Sequence, residues 1–134
     1  MPYRVHRDER GKPSIELIDE PACCHALAAD APGGRDATVG RTTWLVLAFA
    51  VWSVADVEAV QTALDVARRR NSRLDLGLRP YDDPLELRPS WPDVDVDASG
   101  PFWMLIQDGT VRRHRAGLMS VDELDGWLSD IHPA

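Results

Sequence analysis

Residues 43–70 read TWLVLAFAVWSVADVEAVQTALDVARRR, and this stretch decides the fold. Residues 44–51 form a nearly unbroken apolar run, typical of a strand that is covered on both faces. Ser53 and Asp56 then match a capping box, in which each side chain satisfies a backbone N–H at the position of the other. Apolar residues at helical spacing, with three arginines in the last turn, predict an amphipathic helix that ends at Arg70. The stretch therefore predicts a buried strand that leads directly into a long helix.

The composition is typical of one globular domain. The chain has 134 residues, of which 44% are hydrophobic and 28% charged, with a net charge of −7. Such a length can bury its own core, and an acidic balance argues against binding to nucleic acid phosphates. The apolar run is too short to cross a bilayer, and the polar start of the chain lacks a signal-peptide pattern. We expect a single cytoplasmic domain over residues 1–134, with no nucleic acid or membrane partner.

The first third of the chain carries weaker signals. Residues 1–13 are charged and turn-prone, and they predict an N-terminal arm or a loosely attached edge piece. Alternating apolar and polar residues predict a short strand over 14–18. Asp19 can cap a helix over 21–29, where an early proline costs nothing because its missing N–H would have no partner in the first turn.

The second half predicts a strand, an irregular segment and a hairpin. Alternating leucines over residues 74–78 predict a strand that ends at Pro80. The proline-rich stretch that follows predicts an irregular insertion over about 85–98, with one short helix near 85–87. Two further strands, 102–106 and 110–115, should form a hairpin, because the Asp-Gly pair between them favours a two-residue turn.

The last helix has its own start signal. Ser120 and Glu123 form a second capping box, and apolar residues at helical spacing follow it to Ile131. We therefore expect an amphipathic C-terminal helix that packs one face against the sheet.

Three segments resemble the thioredoxin family. FAVW, residues 49–52, is similar to the lead into the active-site turn of that family, and LDLGLRPYDDP, residues 74–84, is similar to its strand that ends in an Asp-rich turn. SGPFWMLIQDGTVRRHRAGLMSVDELDGWLSDI, residues 99–131, resembles its C-terminal half, in which Pro101 would be the cis-proline. The resemblance extends over residues 14–131 and implies a thioredoxin fold, an α/β domain with a central mixed sheet flanked by helices.

The redox residues of the family are replaced in this chain. Ser53 and Asp56 occupy the positions of the two active-site cysteines, and Leu47 occupies the position of a buried acid that assists proton transfer. Dithiol exchange needs an attacking thiolate and a resolving thiol. Gly100, before the proline, is also atypical of the family. The resemblance therefore implies a redox-inactive protein, and we expect no enzyme activity, no cofactor and no metal.

Tryptophans provide the main hint of binding. In the thioredoxin fold an extended polypeptide binds beside the cis-proline, and three of the five tryptophans lie near that groove or in the insertion. Exposed tryptophan is enriched in binding hot spots, while simple core filling remains the alternative for Trp52 and Trp103. The candidate residues of a protein-binding groove are Trp52, Ser53, Asp56, Trp91, Gly100, Pro101 and Trp103.

Cys23, Cys24 and His25 provide a second hypothesis. Their spacing matches no zinc signature, and adjacent cysteines on a helix are often packing residues. They could also form a reactive thiol site. The sequence thus predicts a non-catalytic thioredoxin-like protein that binds a protein partner, as an assembly factor or chaperone, an adaptor or a small complex subunit, with a homodimer possible. The alternative is a redox sensor or soft-metal protein that uses Cys23 and Cys24.

Overall fold

The computed structural model describes residues 3–18, 24–27, 43–70 and 74–129. Within these ranges it has seven strands, two α-helices and one short 3₁₀ helix. The strands are β1 (Tyr3–Arg7), β2 (Pro13–Leu17), β3 (Cys24–Ala26), β4 (Thr43–Ala50), β5 (Asp75–Tyr81), β6 (Phe102–Gln107) and β7 (Thr110–Ala116). The helices are α1 (Val54–Arg70), α2 (Val121–Ser129) and the 3₁₀ helix Pro84–Leu87.

Strands β3 to β7 form one mixed sheet in the order β3-β5-β4-β6-β7. The β3–β5 and β5–β4 pairs are parallel, whereas β4–β6 and β6–β7 are antiparallel. Side chains of the central strand β4 alternate between two buried clusters, one on each face of the sheet. Both faces are covered, which explains the predicted apolar run over residues 44–51.

The two faces of the sheet are covered differently. Helices α1 and α2 cover one face and bury Val60 and Leu64 from α1 and Leu124 from α2. The other face is covered by irregular chain between β5 and β6. Four apolar side chains of this segment are buried against the sheet: Leu87, Trp91, Val94 and Val96. The stretch predicted as an insertion over 85–98 is irregular, as expected, but it completes the core rather than projecting from it.

The predicted N-terminal arm is wrong at residues 3–7, which form strand β1. β1 pairs antiparallel with β2 in a separate two-stranded sheet, and Gly11 lies in the turn between them with φ 76°. Tyr3 and Ile15 are buried in the cluster beneath the helices. The strand predicted over 14–18 is present, but it belongs to this hairpin rather than to the central sheet.

The predicted helix over 21–29 is wrong at Cys24–Ala26, which form the edge strand β3. The Leu27 N–H also donates a hydrogen bond of 2.9 Å to the Leu78 carbonyl of β5. Backbone pairing with β5 outweighs the weak helical preference of these small residues. The other residues of the predicted helix lie outside the described ranges.

Strand β5 continues through Pro80 to Tyr81, one residue beyond the predicted end. The backbone of Leu78 faces β3, and its carbonyl accepts the hydrogen bond from Leu27. Pro80 faces the same side two residues later, beyond the last described residue of β3, so its missing N–H interrupts no described ladder bond.

The predictions for the C-terminal part are confirmed up to Ser129, while the predicted end of the last helix at Ile131 lies outside the described residues. β6 and β7 are joined at Asp108 and Gly109, whose φ angles of 52° and 75° fit a two-residue turn. α2 follows Ser120 as predicted. Within the described ranges, neither helix is long and apolar enough to cross a membrane.

Candidate binding site

A pocket of about 320 Å³ lies where β4 and β5 end and α1 begins. Ligand sites in α/β sheets commonly lie at the carboxyl ends of parallel strands, because the connecting loops diverge there. Irregular chain before β6 closes the far side. The lining residues are Ala50, Trp52, Ser53, Asp56, Tyr81, Pro84, Ala98, Ser99 and Gly100.

Asp56 is the carboxylate of this pocket. It lies in the first turn of α1 and is only 5% exposed. Its Oδ2 accepts the N–H of Ala50 at 2.7 Å. The Ser53 hydroxyl accepts the Asp56 N–H at 3.4 Å, while the Ser53 N–H donates to the Ala50 carbonyl at 3.3 Å. The predicted capping box therefore holds in one direction only, because the carboxylate binds the end of β4 instead of Ser53.

Tyr81 faces the same pocket from the end of β5. It is 3% exposed, and within the described part of the chain its hydroxyl makes no hydrogen bond. Burial, and then the negative charge of Asp56, raise the pKa of Tyr81 above its ordinary value. The hydroxyl therefore stays protonated at neutral pH. Tyr81 was not predicted as a site residue, although a polar aromatic at the end of a strand parallel to β4 was a usable signal.

Gly100 allows the Tyr81 hydroxyl to lie close to its backbone. A Cβ at this position would lie 2.6 Å from the Tyr81 hydroxyl oxygen and 3.5 Å from Asp56 Oδ2. A side chain at this position would therefore displace the Tyr81 hydroxyl, which lies with Asp56 Oδ2 beside the Gly100 backbone. The departure from the family pattern noted at Gly100 thus has a spatial meaning.

Trp52 forms the exposed rim of the pocket. Its side chain is 69% exposed, yet its Nε1–H donates to the Asp82 carbonyl at 2.9 Å. Asp82 is itself held by Glu86, whose Oε2 accepts the Asp82 N–H at 3.0 Å. The indole ring is thus exposed to solvent while one of its atoms is anchored.

Pro101 lies directly behind the pocket. The Gly100–Pro101 peptide bond is cis, as the resemblance implied. The Pro101 carbonyl accepts the N–H of Gly117 at 2.9 Å, which joins the start of β6 to the end of β7. A cis-proline therefore lies beside the first turn of the helix that follows the central strand.

Two of the solved structures that match this chain illustrate its overall fold. Thioredoxin-2, a component of the malaria parasite protein secretion machinery, is similar with a TM-score of 0.57 and 17% identity, over 67% of this chain and 84% of that one. A second malarial protein is similar with a TM-score of 0.55 and 17% identity, over 66% and 96%. The fold is thioredoxin-like. No family model and no curated protein matches the sequence.

Two predicted groove residues do not line the pocket of this thioredoxin-like fold. Trp103 is 0% exposed, because β6 is covered on both faces, and its Nε1–H donates to the Gly117 carbonyl at 2.8 Å. Trp91 is 2% exposed and packs in the irregular cover of the sheet. The remaining predicted residues, Trp52, Ser53, Asp56 and Gly100, do line it, with Pro101 adjacent.

The predicted thiol site is described only in part. Cys24 is buried on β3, and Cys23 lies outside the described residues. His25 is paired with Asp75 at 3.2 Å. Among the described residues, no group of His, Cys, Asp and Glu is arranged to hold a metal ion.

Proposed function

We propose that this thioredoxin-like chain is a non-catalytic binding protein that acts as an assembly factor, an adaptor or a small subunit of a larger complex. The main support for the proposal is the position of the exposed apolar side chains of the protein. The described residues contain five large apolar side chains that are exposed. Trp52 lines the pocket, and three others, Val54, Leu85 and Leu118, belong to segments that build or adjoin it.

Each of the four belongs to a segment that builds the site. Trp52 lines the pocket, and Val54 and Leu85 follow the lining residues Ser53 and Pro84. Leu118 follows Gly117, whose N–H is bonded to the Pro101 carbonyl. Exposed apolar side chains gathered around a concave site are typical of surfaces that bind another protein.

The residues at the redox positions support binding rather than catalysis. The Ser53 hydroxyl holds the first turn of α1, and Asp56 holds the end of β4. Neither is a thiol, so neither can form the mixed disulfide that dithiol exchange requires. Leu47 is fully buried beneath the helices, so the position of the proton-transferring acid is part of the apolar core.

The native mass of the gently purified protein tests the proposal. We expect a stoichiometric complex that Trp52→Ala dissociates, because the substitution removes the largest exposed apolar side chain at the site. Gln61→Ala, on the solvent side of the same helix, is the matched control and should leave the complex intact. A complex that survives Trp52→Ala, or a protein that is monomeric in its own host, would contradict the proposal.

The thiol hypothesis makes a different prediction. Reactive thiols are partly exposed and lie in electropositive surroundings, whereas Cys24 is buried. We therefore expect Cys24 to react slowly with a thiol reagent in the folded protein. Rapid modification of either cysteine, or a stoichiometric soft metal lost in Cys23→Ser, would favour the alternative function.

A further inference from the structure

We infer that the pocket receives a lysine side chain of the partner protein, with its ammonium group between the Asp56 carboxylate and the Tyr81 hydroxyl. The inference rests on the proposed function and specifies the chemistry of the partner. Three features of the pocket carry it: its charge, its unpaired polar groups and its size.

The charge of the pocket favours a cation. Of its nine lining residues in the described part of the chain, Asp56 is the only acid and none is basic. The positive end of α1 opposes this charge, but a helix end carries roughly half an elementary charge against the full charge of a carboxylate. The pocket is therefore net negative, in a chain whose formal charge is −7.

The polar groups of the pocket lack a donor. The Tyr81 side chain is only 3% exposed, and its hydroxyl, which can both donate and accept a hydrogen bond, has no described partner. Asp56 Oδ2 has one bond, from Ala50, and a carboxylate has about four acceptor sites. The Tyr81 hydroxyl and Asp56 Oδ2 both lie beside Gly100 in the wall of the pocket. One donor group in the pocket can therefore reach both oxygens.

The geometry favours an ammonium over a guanidinium. A guanidinium binds a carboxylate best through two parallel bonds, one to each oxygen, and here one oxygen already accepts a backbone N–H. An ammonium is a compact charge with three donors that can point in separate directions. The acceptors that it would meet are Asp56, Tyr81 and the Ser53 hydroxyl.

The size of the pocket suits one side chain. At about 320 Å³ it lies at the lower limit of the roughly 300–1,000 Å³ of small-molecule sites. The exposed ring of Trp52 at the rim offers an apolar surface for the methylene stem of a lysine. A side chain that enters past Trp52 thus keeps its stem on the ring and its charge beside Asp56.

A titration with blocked peptides tests the inference. The probes are acetyl-Gly-Lys-Gly-amide and the same peptide with acetyl-lysine, and the signal is the NMR shift of the Trp52 indole N–H. We expect the lysine peptide to bind at least about tenfold more tightly than its acetylated form, since acetylation removes the charge. Equal affinity for the two peptides, or no saturable shift with either, overturns the inference.

Three variants locate the contact. Asp56→Asn keeps an oxygen for the Ala50 N–H but removes the charge, so it should abolish the preference for lysine. Tyr81→Phe should weaken lysine binding several-fold. Gly100→Ala should weaken it as well, because its Cβ would lie 2.6 Å from the Tyr81 hydroxyl and displace that side chain. If Asp56→Asn does not fold, Tyr81→Phe and Gly100→Ala test whether lysine binds in the pocket. An arginine peptide that binds more tightly than the lysine peptide excludes the ammonium assignment.

The inference and the proposed function can fail separately. If the peptides show no preference for lysine while Trp52→Ala still dissociates the native complex, the inference falls and the binding function stands. If Trp52→Ala leaves the complex intact, the proposed function falls whatever the peptides do. If Asp56→Asn and Trp52→Ala both dissociate the complex and the peptides prefer lysine, both hold.

Discussion

The two α-helices begin with the same sequence pattern and end up with different structures. At α2 the capping box is closed: the Ser120 hydroxyl accepts the Glu123 N–H at 3.1 Å, and the Glu123 carboxylate accepts the Ser120 N–H at 3.4 Å. At α1 only the first of these bonds forms, from Asp56 to Ser53. One carboxylate caps its own helix at the surface, and the other is buried beside a pocket.

The difference shows where this chain departs from local rules. Asp56 is one methylene shorter than Glu123, and it faces the end of the central strand rather than solvent. It therefore stabilises the β4–α1 junction through Ala50 and leaves part of its carboxylate facing the pocket. Departures from local rules are expected chiefly at functional or strained sites, and this one lies at the pocket.

The largest predicted effect separates the two carboxylates. Asp56→Ala should destabilise the protein by about 1–3 kcal/mol, because it leaves the buried Ala50 N–H without its acceptor. Glu123→Ala, at an exposed position, should cost no more than about 0.5 kcal/mol. Urea unfolding of both variants measures this, and equal losses would show that Asp56 is only a cap.

The second prediction concerns the two serines. Ser120→Ala should cost about 1 kcal/mol, the usual value for an N-cap. Ser53→Ala should cost less, about 0.5 kcal/mol, because its bond to the Asp56 N–H is longer and the carboxylate supports the junction separately. The same unfolding measurement applies. A larger loss for Ser53→Ala would mean that the open box at α1 depends on its serine.

The smallest predicted effect appears at alkaline pH. An unfolded tyrosine loses its proton near pH 10, whereas burial and Asp56 hold the proton on Tyr81 to higher pH. The stabilisation is therefore complete below pH 10 and is lost as the pH rises towards the pKa of folded Tyr81. Tyr81→Phe should show a shallower loss of stability above pH 10 than the wild type.

Absorption of the tyrosinate ion, followed against pH, tests whether Asp56 contributes to the raised pKa of Tyr81. The chain has two tyrosines, so Tyr3→Phe leaves Tyr81 as the single reporter. Adding Asp56→Asn should lower the pKa of Tyr81 while leaving it above 10, because the contribution of burial remains. An unchanged pKa would show that the carboxylate does not act on Tyr81.

Much of the fold could be predicted from the sequence where the signals are local. The apolar run of β4, the two serine caps and the Asp-Gly turn each act within one or two elements, and these elements form as expected. β1 and β3 could not be predicted in this way. Each depends on pairing with a partner strand, and no periodicity within the strand itself reveals that partner.

The residues of the candidate site also divide into those that local sequence predicts and those that it does not. Trp52, Ser53 and Asp56 adjoin one another in sequence, so the β4–α1 junction placed them together. Tyr81 and Gly100 reach the pocket only through sheet pairing and the irregular cover. Trp91 and Trp103 were wrongly assigned to the groove, because composition cannot distinguish a tryptophan that fills the core from one at the surface.

The N-terminal hairpin has a consequence for the rim of the pocket. Arg7 pairs with Asp82, and Lys12 pairs with Glu86 at 2.7 Å. The same two acidic residues hold the carbonyl that anchors Trp52. The basic partners are partly exposed, so dissolved salt screens these pairs while leaving the buried core untouched. We therefore expect the orientation of the Trp52 ring to depend on ionic strength, through residues 40 and 45 positions earlier in the sequence.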